Sequence, residues 1–181
     1  MSSIQAYKIT YKEFMLLPDD EFIEQKVIGK NMRPVSNGIP DIIEWSYDKV
    51  KTLQSMFDGL RYGDIPEVLA YVHDTKVEDH FKAFFYDTFA LYNHIEKEVT
   101  KIIDKEKALI YEPTGKQLAA GIENLNKFGL FGTIDSLADG DVLKHKAVIN
   151  LPYHYIFTKL LYEKTKAEYT EAAMKLSNNR F

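Results

Sequence analysis

The sequence contains no cysteine. That absence removes disulfides, thiolate nucleophiles and cysteine-ligated zinc, and suits a chain kept in a reducing compartment. Tryptophan occurs once, proline six times and glycine nine times in 181 residues, too few for a collagen-like or low-complexity composition. No apolar run approaches the about 20 residues that a membrane-spanning helix needs, and the start, MSSIQAYKITYKEF, lacks the basic-then-apolar layout of a secretion signal. A cytoplasmic chain without membrane contact is the expectation. Positive charge is not in excess either: 23 Lys and Arg stand against 27 Asp and Glu, and the basic residues are interspersed among the acids. Nucleic-acid binding draws on a positive footprint that displaces phosphate counterions, so nucleic acid is not an expected partner.

What is present is a globular composition with many rings: 45% apolar residues, 12 Tyr and 11 Phe. The length suits one domain, or one domain with an appended segment. Tyrosines on amphipathic helices serve core edges first and protein interfaces second.

Helix starts are legible because a Ser, Thr or Asp oxygen caps an orphan amide while a Glu or Gln three residues on reaches back. Thr10 with Glu13, Asp41 with Glu44, Asp64 with Glu67, Thr75 with Glu78 and Thr114 with Gln117 fit this spacing. The first helix should stop by Leu17, before Pro18, with a short turn from Asp20 to Val27. Residues Gly29 to Pro40, GKNMRPVSNGIP, have loop composition. A helical period spans Ile42 to Phe57, and a short helix follows from Asp64 to Val72.

Two long amphipathic helices dominate the rest. From Val77 to Lys107, the residues Phe81, Phe85, Thr88, Tyr92, Ile95, Val99 and Ile102 form one stripe, on a rod of roughly 45 Å at 1.5 Å per residue. From Leu151 to Leu176, Tyr153, Ile156, Phe157, Leu160, Leu161, Ala167 and Ala172 form a second. Together they predict an all-α fold, an irregular helical bundle in which the two stripes zip together and shorter helices pack across them. The expectation is a single domain over 1–181, with a loop at 29–40 and a sub-division into 1–74 and 75–181 as a further option. There is no clean internal repeat. SYDKVKTLQSMF and PYHYIFTKLLYE echo one another, chiefly through helical periodicity.

Candidate chemistry fails test by test. Phe128 to Asp141, FGLFGTIDSLADGD, is rich in Gly and Asp, but a calcium loop started at Asp135 places Leu137 third and Lys146 twelfth, where oxygen ligands belong. Its glycine spacing is wrong for a dinucleotide fingerprint, and it follows a helix rather than a strand. Helix punctuation accounts for it: Gly129 ends the helix begun at Thr114, Thr133 caps a short helix through Ala138, Gly140 ends that helix and Asp141 caps the next. Leu137, Val142, Val148 and Leu151 are then packing residues. PTGKQ lacks the Walker glycine, since Ile110 stands there, and Gln117 replaces the required Ser or Thr. The five histidines show no H-x-x-x-H spacing, and no Glu precedes one by three residues. His73-Asp74 with Glu78-Asp79-His80 is the residual metal or acid/base candidate, better explained as acids at a helix start. His94 and Glu98 read as a surface pair. No serine sits in a nucleophile elbow. No catalytic, cofactor-binding or metal residue is assigned, and no cofactor is expected.

The stretch FGTIDSLADGDVLKHKAVINLPYHYIFTKLLYEKTKAEY joins short helices through a Leu-Ala-x-Gly-Asp turn, then Val-x-x-Leu-Pro-Tyr, then a charged amphipathic helix. It resembles small helical proteins of tailed-bacteriophage morphogenesis modules, of the tail-assembly chaperone or virion connector type. The resemblance lies in the C-terminal third of the chain and carries over no catalytic residue. It implies a non-enzymatic assembly factor or virion structural component, located in the host cytoplasm or the virion. Its partners would be phage structural or tail proteins, with a homo-oligomer as a further expectation. The binding residues chosen are Tyr86, Tyr92, Tyr155, Tyr162 and Tyr169, whose rigid amphipathic rings offer area at low entropy cost. Two alternatives are carried: a nucleic-acid-associated regulator using Lys97, Lys101 and Lys105, and a metal-dependent hydrolase using the His73 to His80 region.

Overall fold

The structure is a computed structural model that describes residues 9–31 and 41–178. The loop expected at 29–40 therefore lies, from 32 on, outside the described residues; its first two residues end a helix instead. Among the described residues there are ten α-helices, short 3-10 turns and no β-strand, so the chain is all-α. They form two compact units. The first takes the described residues up to Ile42 together with Lys51–Lys101; the second takes Ile43–Val50 together with the described residues from Ile102 on. The dividing lines thus fall elsewhere than between 74 and 75.

In the first unit, α1 (Tyr11–Phe14) opens with the expected capping box: Thr10 Oγ1 accepts from the Glu13 amide at 3.2 Å, and the Glu13 carboxylate accepts from the Thr10 amide at 2.7 Å. After Pro18 comes α2 (Asp19–Lys30), longer than the turn read from the sequence, with three acids in its first turn opposing the helix dipole. The chain returns to this unit within α3 (Tyr47–Met56) and continues through α4 (Ile65–His73), α5 (Val77–Lys82) and the start of α6 (Phe85–Glu106).

The rod expected from Val77 to Lys107 is broken between α5 and α6. Ala83 is extended at φ −67°, ψ 158°. The Tyr11 amide donates to the Ala83 carbonyl and the Phe85 amide to the Ile9 carbonyl, both at 2.9 Å. A bridge to a distant segment thereby takes the hydrogen bonds that would have continued the helix. The α6 stripe itself stands: Phe85, Thr88, Tyr92, Ile95, Val99 and Ile102 are all buried. Rings fill the core. Phe14 stacks on Phe22 at 4.5 Å and on Phe85 at 3.8 Å between centroids, and the Tyr11 hydroxyl donates to the Tyr62 carbonyl at 2.7 Å.

Several expected caps are engaged elsewhere. The Asp64 carboxylate accepts from the Arg61 amide at 2.9 Å rather than capping α4. Thr75 Oγ1 lies 2.8 Å from His80 Nε2, and Lys76 stands at the N-terminus of α5 without a side-chain cap. After Asp41 there is only a 3-10 turn, Ile42–Glu44; the helix proper begins behind Ser46, whose Oγ accepts from the Lys49 amide at 3.3 Å.

The second unit contains α7 (Gly115–Ala119), α8 (Gly129–Leu137), α9 (His145–Ile149) and α10 (Tyr153–Asn178). Thr114 and Gln117 make the expected capping box. The α7 helix ends at Ala119, so Gly129 does not terminate it; Gly129 follows a 3-10 stretch, Ile122–Phe128, and opens α8. Thr133 lies inside α8 and caps nothing. Gly140, at φ +74°, does end the turn after α8, and Asp141 accepts from the Leu143 amide at 3.0 Å.

The second long stripe is corrected. On α10 only Tyr153 and Ile156 are buried; Phe157, Leu160 and Leu161 are half-buried, and Ala167 and Ala172 are exposed. From Glu163 to Asn178, charged and hydroxyl side chains occupy most positions and alanines half of the remainder, leaving too little apolar surface for a buried stripe. No zipper runs along its length.

The two units repeat one another, which periodicity alone concealed. Each starts from a hydroxyl residue that caps the helix following it, Thr10 and Ser46. Each places a buried Tyr next, Tyr11 and Tyr47, and bridges to the residue before a long helix, Phe84 and Pro152. In the second bridge the Tyr47 amide donates to the Leu151 carbonyl and the Tyr153 amide to the Trp45 carbonyl, both at 2.8 Å. The ring pairs match, with Tyr11–Phe85 and Tyr47–Tyr153 each 6.0 Å apart. Before each bridge lies a helical hairpin whose turn holds a left-handed aspartate, Asp74 at φ +52° and Asp139 at φ +54°. From these run Asp74-x-x-Val77-x-x-His80 and Asp139-x-x-Val142-x-x-His145, the same residues at the same spacing.

Candidate functional site

The five tyrosines chosen for binding divide sharply. Tyr86 and Tyr92 are only 3% and 7% exposed, whereas Tyr155, Tyr162 and Tyr169 are 62%, 60% and 75% exposed. Tyr86 and Tyr92 are core residues, which corrects their place in the site. The Tyr86 hydroxyl donates to Gln25 Oε1, and the Tyr92 hydroxyl donates to Glu96 Oε1 at 2.9 Å with its ring stacked against Phe57. Burial, with the Glu96 carboxylate beside it, pushes the Tyr92 phenol well above its usual range.

Tyr155, Tyr162 and Tyr169 recur every seventh residue and so share one face of α10, which Leu176 continues. The helix is fixed at its N-terminal end. The Tyr153 hydroxyl donates to Glu106 Oε1 at 2.7 Å, and Lys164 Nζ donates to the carbonyls of Ala108 and Ile110, each at 2.8 Å. Charges along α10 are largely matched within it: Lys159 pairs with Glu163, Lys164 with Glu168 and Lys175 with Glu171. The tyrosine face is therefore nearly neutral, amphipathic and solvent-exposed.

A second exposed surface was missed by sequence reasoning. Between Ala108 and Ile149 only Ile134, Ala138 and Val148 are buried hydrophobics. Leu125, Phe128, Phe131 and Val142 are exposed, and Leu143 is 89% exposed. Of the packing residues expected here, Val148 is buried and Leu137 half-buried, but Val142 and Leu151 face solvent. Periodicity conceals it: Leu118, Ile122, Leu125, Phe128, Phe131, Ile134 and Leu137 recur at three- and four-residue spacing, a pattern that reads as a buried stripe. Exposed large hydrophobics in such number within one stretch suit an association surface where they adjoin.

The other candidates give little. Among the described residues there is no group of three or more His, Asp or Glu side chains placed to hold a metal ion. His73 and His80 do meet, with ring centroids 6.1 Å apart, and His73 Nε2 is buried without a hydrogen-bond partner. Burial holds both imidazoles below the usual histidine value, and for His80 the neighbouring His73 adds to the effect. Glu98 lies 2.6 Å from Lys101, so it serves that lysine rather than His94. In the first unit a pocket of about 230 Å³ lies over Tyr62, Phe89 and Tyr92, with Lys30, Asn93 and Glu96 at its walls.

No protein-family model matches the chain, and neither any curated protein nor any solved structure does so. No helix among the described residues is long and apolar enough to cross a membrane.

Proposed function

We propose that the chain is a non-enzymatic, protein-binding component, an assembly factor or structural part of a tailed phage, acting in the host cytoplasm or retained in the virion. The observation that carries the binding role is the exposed apolar surface of the second unit, where Leu125, Phe128, Phe131 and Leu143 accompany the tyrosine face of α10. Aromatic anchors on a helix face suit a partner protein's groove, because they desolvate a large area with few rotors to freeze. The phage setting rests on the resemblance of Phe131 to Tyr169 to morphogenesis proteins.

The test is to identify the co-purifying chain by mass spectrometry, produce it separately and titrate it against this protein. Replacing Tyr155, Tyr162 and Tyr169 by Ser should weaken binding at least tenfold, which is about 1.4 kcal/mol. Binding unchanged by that triple substitution and by Leu125→Ser with Phe128→Ser would refute the surface. An identified partner that is a metabolic enzyme, rather than an assembly or virion protein, would refute the setting.

A further inference from the structure

The pocket of about 230 Å³ in the first unit lies where the end of α2 meets α6. The two helices are tightly joined there. Asn93 Nδ2 donates to the Gly29 carbonyl at 3.0 Å, and a Cβ on Gly29 would lie 2.9 Å from Phe89. The apolar side of the pocket is preformed: Tyr62 stacks on Phe89 at 6.0 Å between centroids, and Tyr92 is held by Phe57 and by the bond from its hydroxyl to Glu96 Oε1.

The polar side is not explained by packing. Asn93 is only 7% exposed, yet of its two N–H donors and one acceptor oxygen a single donor is engaged among the described residues. Lys30 and Glu96 are both exposed and carry opposite charge on the walls of one pocket, but among the described residues they pair neither with each other nor with any other charged group. Lys26, one turn before Lys30, lies 4.5 Å from the Tyr62 ring centroid, so α2 supplies the positive wall and α6 the negative one. The fold does not demand these groups. With Phe85 and Tyr153 equivalent as the first residues of their long helices, Tyr92, Asn93 and Glu96 correspond on α10 to Leu160, Leu161 and Lys164.

We propose that this pocket binds a free α-amino acid with an apolar or aromatic side chain. Its carboxylate would accept from the Lys30 ammonium and the idle N–H of Asn93, and its ammonium would donate to Glu96 Oε2, beside rings whose faces favour a cation. Its side chain would lie along Tyr62, Phe89 and Tyr92. The volume is below the about 300 Å³ at which sites for drug-sized ligands begin, which suits an amino acid and is too small for a nucleotide. A ligand with one charge would leave one wall unmatched, and a neutral sugar would leave both. The site shares no residue with the protein-binding surface of the second unit and goes beyond that reading.

The test titrates L-phenylalanine and L-leucine into the full chain, read by NMR at the Asn93 side-chain amide. Phenethylamine, which lacks the carboxylate, hydrocinnamate, which lacks the ammonium, and glucose are titrated beside them. The expected result is saturable binding of L-phenylalanine, with each of these three at least tenfold weaker. Glu96→Gln keeps an acceptor for the Tyr92 hydroxyl; it should weaken L-phenylalanine at least tenfold without weakening hydrocinnamate. Lys30→Met should weaken L-phenylalanine likewise without weakening phenethylamine. Both substitutions are at exposed positions, and circular dichroism of each variant should match the parent. No saturable binding of either amino acid at millimolar concentration overturns the proposal. So does an affinity for L-phenylalanine that both substitutions leave unchanged, or equal binding of glucose or of either singly charged analogue.

Discussion

Replacing Gly29 by Ala sets two physical effects against each other, and the structure decides between them. In an exposed helix the change stabilises by up to ~1 kcal/mol, through helix propensity and a less free unfolded chain. Here the added Cβ would lie 2.9 Å from Phe89 Cδ1 and 3.1 Å from Phe85 Cζ. Both rings are buried, and Phe85 is already stacked on Phe14 at 3.8 Å, so neither can retreat cheaply. Overpacking of that kind costs ~1–3 kcal/mol, and displacing α2 also strains the Asn93 bond to the Gly29 carbonyl, worth ~0.5–1.5 kcal/mol. The net expectation is a loss of about 1–3 kcal/mol, or about 2–12 °C in Tm for a chain of this size. Urea unfolding should show a lower midpoint at an unchanged slope. Gly63→Ala is the control: its Cβ would find only Met15 Cε at 3.9 Å, and the effect should stay within about 0.5 kcal/mol. If Gly29→Ala is as stable as the parent or more so, the close approach of α2 to α6 is wrong.

Further outcomes are expected. Both His73 and His80 have folded-state values below their unfolded ones, so the unfolded chain binds more protons. Their contribution is complete above the ordinary histidine value and is lost as pH falls below it; NMR titration should place both midpoints below about 6.5, and His73→Leu with His80→Gln should flatten this acid-side decline in stability. Thr10→Ala should cost about 1 kcal/mol by removing the capping box, read by urea unfolding, and should raise the Glu13 titration midpoint, because the Thr10 amide and hydroxyl hold that carboxyl low. Lys164→Met should leave global stability within about 1 kcal/mol, yet speed amide exchange from Lys107 to Ile110, where its two carbonyl bonds tie the chain to α10.

What was legible in the sequence was local. Thr10 with Glu13 and Thr114 with Gln117 became capping boxes because every group involved lies within one turn. Asp64 and Thr75 had the same spacing but found Arg61 and His80 within reach, a competition that no cap rule ranks. The break before Phe85 depends on Ile9 and Tyr11, far away in sequence, so an unbroken stripe was the natural reading. Tyrosine is the least decidable residue from pattern alone, since it serves core and surface alike. Tyr86 is buried because Gln25 receives its hydroxyl, while Tyr162, on a helix whose apolar stripe fades, has the Lys159 ammonium 5.9 Å from its ring centroid and stays exposed. The repeat is not legible from periodicity because its markers, Asp74 and Asp139 with their Val and His, sit in turns and helix starts, where the apolar period carries no signal.

The claim that the second unit binds another protein chain is tested most directly by photo-cross-linking from benzoylphenylalanine placed in turn at positions 155, 162, 169 and 86, in cells that make the chain naturally. The account predicts one discrete adduct with a defined chain from each of the first three positions and none from 86, which lies in the core. Adducts absent from all three exposed positions, or a smear of unrelated proteins equal in all of them, would contradict it.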